Sequence, residues 1–112
     1  MAHALRSGEL NRRITIQQRD SEQNTFGQQL LTWSDVLICW AGIEQMQGRE
    51  LEMAQAINAE TTHRVTIRYR AGITPAMRVL YQGRVLNVLS VLDIDTAHVA
   101  LHLMCSGGLN QG

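Results

Sequence analysis

His98 and His102 stand four residues apart, and four histidines in all invite a metal reading. On a helix that spacing puts two imidazoles on one face, where they could share an ion. On a strand the same two residues lie roughly 13 Å apart at ~3.3 Å per residue, and no single ion bridges them. Val99, Leu101, Leu103 and Cys105 alternate with polar neighbours, so the segment reads as a strand and the histidines as surface residues. Cys39 and Cys105 belong to no C-x-x-C or similar metal spacing. Cys105 could in principle meet a histidine, but no local signature of a thiol enzyme surrounds it. Both cysteines read as buried free thiols of a reducing compartment. G-x-S-x-G and H-E-x-x-H are absent from the sequence. Glu50 and Glu52 are two residues apart and would diverge on a helix, so they do not make a carboxylate pair; charge near a helix start is their simpler role. No glycine-rich phosphate loop occurs. The residues therefore predict no enzyme, no cofactor and no metal.

Arg64, Arg68 and Arg70 form the remaining polar constellation. They would share one face of a strand, where they could track a phosphate backbone, pair with a neighbouring subunit or simply meet water. Single-strand binders need aromatic stacking platforms, and aromatic residues make up 4% of this chain. A small β-barrel nucleic-acid-binding module is the alternative these arginines leave open. All ten basic residues are arginine, a type enriched at partner surfaces, although a codon bias toward arginine would give the same composition.

The elements that must position these groups are mostly strands. Arg13 to Gln17 alternates polar and apolar residues. Asp20 to Gly27 is polar and reads as a hairpin connection or longer loop. Gln28 to Ile43 is strand-like, with a kink or bulge expected at Ser34–Asp35, and Trp33 and Trp40 read as core or interface anchors. From Arg49 to about Ala59 the pattern changes: Leu51, Ala54 and Ile57 recur at helical spacing, while Met53 and Ala56 add a second apolar strip. Such a short helix needs outside packing to persist. Thr62 to Arg70 is the cleanest strand, with His63, Val65, Ile67 and Tyr69 on one face. Pro75 closes a turn. Met77 to Tyr81 and Arg84 to Leu92 make a hairpin around Gln82–Gly83, and His98 to Cys105 is the last strand. Met1 to Glu9 and Ser106 to Gly112 read as loose tails.

The expectation is a single domain over residues 1–112, mainly β. It would be a small barrel or sandwich of about six or seven mostly antiparallel strands, with one short helix (about 49–59) carried in a long connection. Net charge is formally zero, which excludes nucleic-acid binding by bulk charge. The longest apolar run, Val36 to Ile43, is too short to cross a bilayer, and the N-terminus lacks a signal-peptide core. A soluble protein made in the cytoplasm is expected, with no membrane partner.

Taken in order, several segments carry a resemblance. They are Arg13-Ile14-Thr15-Ile16-Gln17, the turn ending Phe26-Gly27, Thr32-Trp33, Trp40-Ala41-Gly42-Ile43-Glu44, Gly48-Arg49-Glu50, Thr62 to Arg70, and Arg84-Val85 leading to Val91-Leu92-Asp93. From about Leu10 to Cys105 the chain resembles the tailed-phage head–tail joining proteins, also called head-closure, stopper or head–tail adaptor proteins. The resemblance implies a barrel-like fold and a ring of identical subunits, a dodecamer in the virion, below the portal and its adaptor. Such a ring closes the filled head and offers a docking surface to tail proteins, with packaged double-stranded DNA passing nearby. It implies no catalytic residues. Within that frame Arg49, Glu50, Met53, Ala56 and Ile57 are candidates for subunit or adaptor contacts. Arg64, Arg68 and Arg70 are candidates for an interface or for facing DNA. Asn24, Thr25 and Phe26 belong to a candidate channel- or tail-facing loop.

Overall fold

A computed structural model describes residues 10–23 and 29–107. Six strands and one helix follow in the order β1 (Arg12–Gln23), β2 (Gln29–Gln45), α1 (Gly48–Ile57), β3 (His63–Arg68), β4 (Arg78–Tyr81), β5 (Arg84–Asp93) and β6 (Ala100–Ser106), with a 3-10 turn at Ile94–Thr96. The strands close into a barrel in the order β1-β2-β3-β6-β5-β4, every neighbouring pair antiparallel. Closure decides between the barrel and the sandwich in favour of the barrel.

Period-two alternation fills the interior. Ile14 and Ile16 of β1, Val65 and Ile67 of β3, Val79 of β4, Val88 of β5, and Leu101, Leu103 and Cys105 of β6 are all buried in one cluster. Each such aliphatic side chain contributes about 1.5–3 kcal/mol when removed from water. Two bulges bend the sheet around this core. The β1–β2 register slips between Ile16↔Leu37 and Gln17↔Asp35, leaving Val36 as the extra residue beside the expected kink. Leu89 is skipped in the same way between Val88↔Cys105 and Ser90↔Met104. An extra residue in one strand increases local bend and twist, which barrel closure requires. The tightest connection is Gln82–Gly83, with φ of 49° and 79°. Both values suit the two-residue turn that matches strand twist, and glycine takes its position without steric cost.

Several segments depart from the sequence reading. Asp20 to Gln23, expected in a loop, belongs to β1 and pairs with β2 out to Gln23↔Gln29. β1 meets β4 only at Thr15 to Gln17, and β2 meets β3 only from Ala41 to Gln45. Beyond those limits the two strands leave the barrel as a two-stranded arm. A strand of 12 residues spans about 40 Å, more than the 26 Å width of the molecule. The helix ends at Ile57, two residues early, because Asn58 turns to an extended conformation (φ −144°, ψ 114°). Ser106 ends β6 instead of starting a tail. Trp40 is 52% exposed and faces outward, and Trp33 is half-buried beneath the guanidiniums of Arg78 and Arg19, 4.0 and 5.9 Å from its ring centre. Neither tryptophan is in the core: the inward positions of β2 are Ala41 and, next to the core, Leu37, Cys39 and Ile43.

Candidate assembly surfaces

α1 owes its existence to its ends. Gly48 opens it at φ +59°, a conformation that glycine adopts freely. No side chain caps its N-terminus. At the other end Gln55 Nε2 donates to the Thr61 carbonyl at 3.0 Å, and Asn58 Oδ1 accepts from the Glu60 N–H at 3.0 Å. Thr61 is buried, and its neighbour Thr62 ties the exit to the barrel. Its carbonyl accepts from the Met46 N–H at 3.0 Å, its own N–H donates to the Cys105 carbonyl at 2.9 Å, and its hydroxyl accepts from the Gly107 N–H at 2.7 Å. None of the ten residues of α1 is buried. A helix this short is marginal by itself in water, so its anchors decide whether it persists.

Arg64 is the electrostatic anchor. From β3 its guanidinium donates to Glu44 on β2 and to Glu50 on α1, forming ion pairs with both carboxylates. Burial draws the Arg64 pKa down, but the hydrogen bonds and charges of Glu44 and Glu50 outweigh it and leave the pKa above its ordinary value. The arginine row read from sequence is therefore divided. Arg64 is engaged within its own chain, Arg68 ends β3 exposed, and Arg70 lies beyond the strand, also exposed.

The five α1 candidates fall on one side. At about 100° per residue Arg49, Glu50, Met53, Ala56 and Ile57 occupy an arc of roughly 120°. All five are exposed, Met53 at 65% and Ile57 at 90%. Leu51 and Ala54, on the opposite side, are partly covered. The helix thus turns an apolar strip away from the barrel. Asn24, Thr25 and Phe26 lie outside the described residues, in the connection that joins the paired ends of β1 and β2.

A second surface was not evident from sequence. Where β3 leaves β2 beyond Ala41↔Ile67, a cleft of about 620 Å³ opens. Leu10, Leu37, Cys39, Trp40 and Tyr69 supply apolar walls, and Arg68 and Arg70 supply charge. Arg13 lies 5.5 Å above the Trp40 ring, and the Tyr69 ring stacks on His98 at 4.4 Å. The mixed parity of Leu37, Ile38, Cys39 and Trp40, apolar on both strand faces, was the available signal. It marks a strand buried on one side and in contact, or meant for contact, on the other.

The chemical candidates are dispersed. His98 sits before β6 and pairs with Asp93 at 3.2 Å, whereas His102 lies within β6 opposite Thr66 and Leu92. Among the described residues no group of three or more His, Cys, Asp or Glu side chains could hold a metal ion. Both cysteines are free. Burial pushes the Cys105 thiol up to about 12, and its S–H lies 3.3 Å from the Leu103 carbonyl. The Cys39 thiol is also raised by burial, which Arg70 opposes. Such thiols are not nucleophiles at neutral pH. No described helix is long and apolar enough to cross a membrane.

Comparison with known proteins gives this arrangement a context. No curated protein matches the sequence. The solution structure of protein SF1141 from Shigella flexneri 2a is similar at a TM-score of 0.81 and 32% identity, over 95% of this chain and 99% of that one. A chain from the virion of a native gene transfer agent particle shares the fold at a TM-score of 0.61 and 16% identity, covering 88% of this chain and 94% of that one. The family model for phage head completion proteins matches residues 5–108. With a match over nearly its whole length, the chain belongs to the phage head completion protein family and is a structural component of the virion where head meets tail.

Proposed function

We propose that this protein assembles with copies of itself into a ring, a dodecamer in the virion, beneath the portal and its adaptor. There it closes the DNA-filled head and presents the surface on which tail proteins dock. The reading rests most directly on α1: a helix held on the barrel by Arg64 and Thr62, with an apolar face that no described residue of its own chain buries. An exposed Met53–Ile57 strip is costly in water and becomes favourable once buried against a partner. The arm formed by β1 and β2 is the second feature; its distal connection, with Asn24, Thr25 and Phe26, is assigned to the channel or the tail. Nothing in this role requires a bond to be made or broken. Ring formation follows when each subunit meets its neighbours through two different patches.

The nucleic-acid alternative is weakened by Arg64, whose charge is already matched by Glu44 and Glu50. Arg68 and Arg70 alone would give at most two phosphate contacts and a shallow salt dependence. The functional reading is tested by mixing purified protein with DNA-filled heads and free tails from a strain lacking the gene. Infectious tailed particles are expected with wild-type protein and not with Ile57→Glu. Joining of heads to tails without added protein would refute the assignment.

A further inference from the structure

We propose that the α1 face of one copy docks into the Trp40–Tyr69 cleft of the next copy. This rests on the ring reading above and deepens it by naming both halves of the contact. Two exposed surfaces exist on one chain, and they match in character. The helix offers Met53 and Ile57, one turn apart, so their side chains project side by side. The cleft offers apolar walls, among them Leu37, Trp40 and Tyr69.

Charge complements shape. Residues 48–60 carry Glu50, Glu52 and Glu60 against Arg49 alone, and with Glu50 held by Arg64 the helix side still offers Glu52 and Glu60. Arg68 and Arg70 at the cleft give +2, and both are exposed. Glu52 and Glu60 are exposed as well, and no described residue forms an ion pair with either. Opposed charges at the rim of an apolar contact fix its register and reject wrong partners more than they add affinity.

A copy does not fill its own cleft. α1 is anchored beside the start of β3 through Met46, Thr61 and Thr62, and the cleft lies past its end at Arg68. The strand between them spans roughly 17 Å at ~3.3 Å per residue, and the helix ends are tied on the near side. Placing donor and acceptor at opposite ends of one strand makes the contact head-to-tail, the type that closes into rings when the rotation allows. Leu37, Cys39 and Trp40 of β2 border this cleft outside the β2–β3 pairing, so an extended strand from another protein is the competing occupant, which the experiment separates.

The test uses the full chain in a Cys39→Ser background carrying Ile57→Cys and Arg70→Cys together. Particles are assembled with it from a strain lacking the gene, oxidised, and run on non-reducing gels. A ladder of covalent multimers is expected, since each copy carries both halves, whereas either single variant gives none. Tailed particles without a ladder, dimers from Ile57→Cys alone, or a bond to a different protein would each overturn this contact while leaving the connector role standing. Normal tailed particles in the absence of any copy would overturn the role itself. Should the double-cysteine chain fail to assemble, a charge exchange decides. Arg70→Glu should abolish tail joining and Glu52→Arg in the same chain should restore it; failure to restore contradicts the inference.

Discussion

Arg64 does the most at the level of a single side chain. It joins β2, β3 and α1 through Glu44 and Glu50, with the arginine partly covered and both carboxylates about half exposed. Pairs of that exposure are worth about 0.2–1 kcal/mol each and are screened by salt. Arg64→Ala should lower unfolding stability by about 1 kcal/mol, lose less in high salt, and speed amide hydrogen exchange across α1 more than in β5 or β6. His63 adds a pH dependence. Burial, with the charge of Arg84 beside it, holds its pKa below 6.5. The unfolded chain therefore binds this proton more readily than the folded one. The resulting stability is fully present above 6.5, is lost as pH falls from 6.5 through the folded value, and levels off below it. An NMR titration should find the His63 midpoint below that of a histidine in the unfolded chain, and urea midpoints should fall over the same window. At Cys105, a thiol reagent at mildly alkaline pH should not react until the protein unfolds.

Among the elements, α1 and the β4–β5 hairpin illustrate opposite extremes of legibility. Gln82–Gly83 could be read from sequence because a two-residue turn demands positive φ and the flanking residues alternate; the structure has φ of 79° at Gly83. Gly83→Ala should cost roughly 1–2 kcal/mol through that left-handed conformation, seen as a lower urea midpoint with an unchanged slope. β3 was equally plain, since Val65 and Ile67 are the buried positions its alternation requires. The arm was not. Ser21, Glu22 and Gln23 have the composition of a loop, and only backbone pairing with β2 makes them a strand. Nor could spacing reveal that Arg64 is taken by Glu44 and Glu50, 20 and 14 residues away. Of the two roles open to Trp40 in the sequence, core or interface anchor, its 52% exposure removes the first. The helix itself was visible as a change of period, and its exposure was foreshadowed by the extra strip of Met53 and Ala56. Ile57→Glu should leave the melting temperature nearly unchanged, since that side chain is 90% exposed, yet abolish the joining of heads to tails.

For the molecule as a whole, the barrel is a stable core that carries two projecting features, the helix on one strand connection and the arm on another. No residue of the helix is buried in its own chain. Under the proposed ring role, a formally neutral chain with Arg64 internally paired suits a passage through which DNA moves without adhering. What the family assignment adds is the setting: the head completion proteins act in the virion. Imaging particles from a strain in which the gene is deleted tests the account most directly, with their DNA content measured alongside. We predict heads, DNA-filled or leaking, that carry no tails, with tail joining restored by wild-type protein supplied in trans. Intact tailed particles with full DNA content from the deletion strain would contradict it.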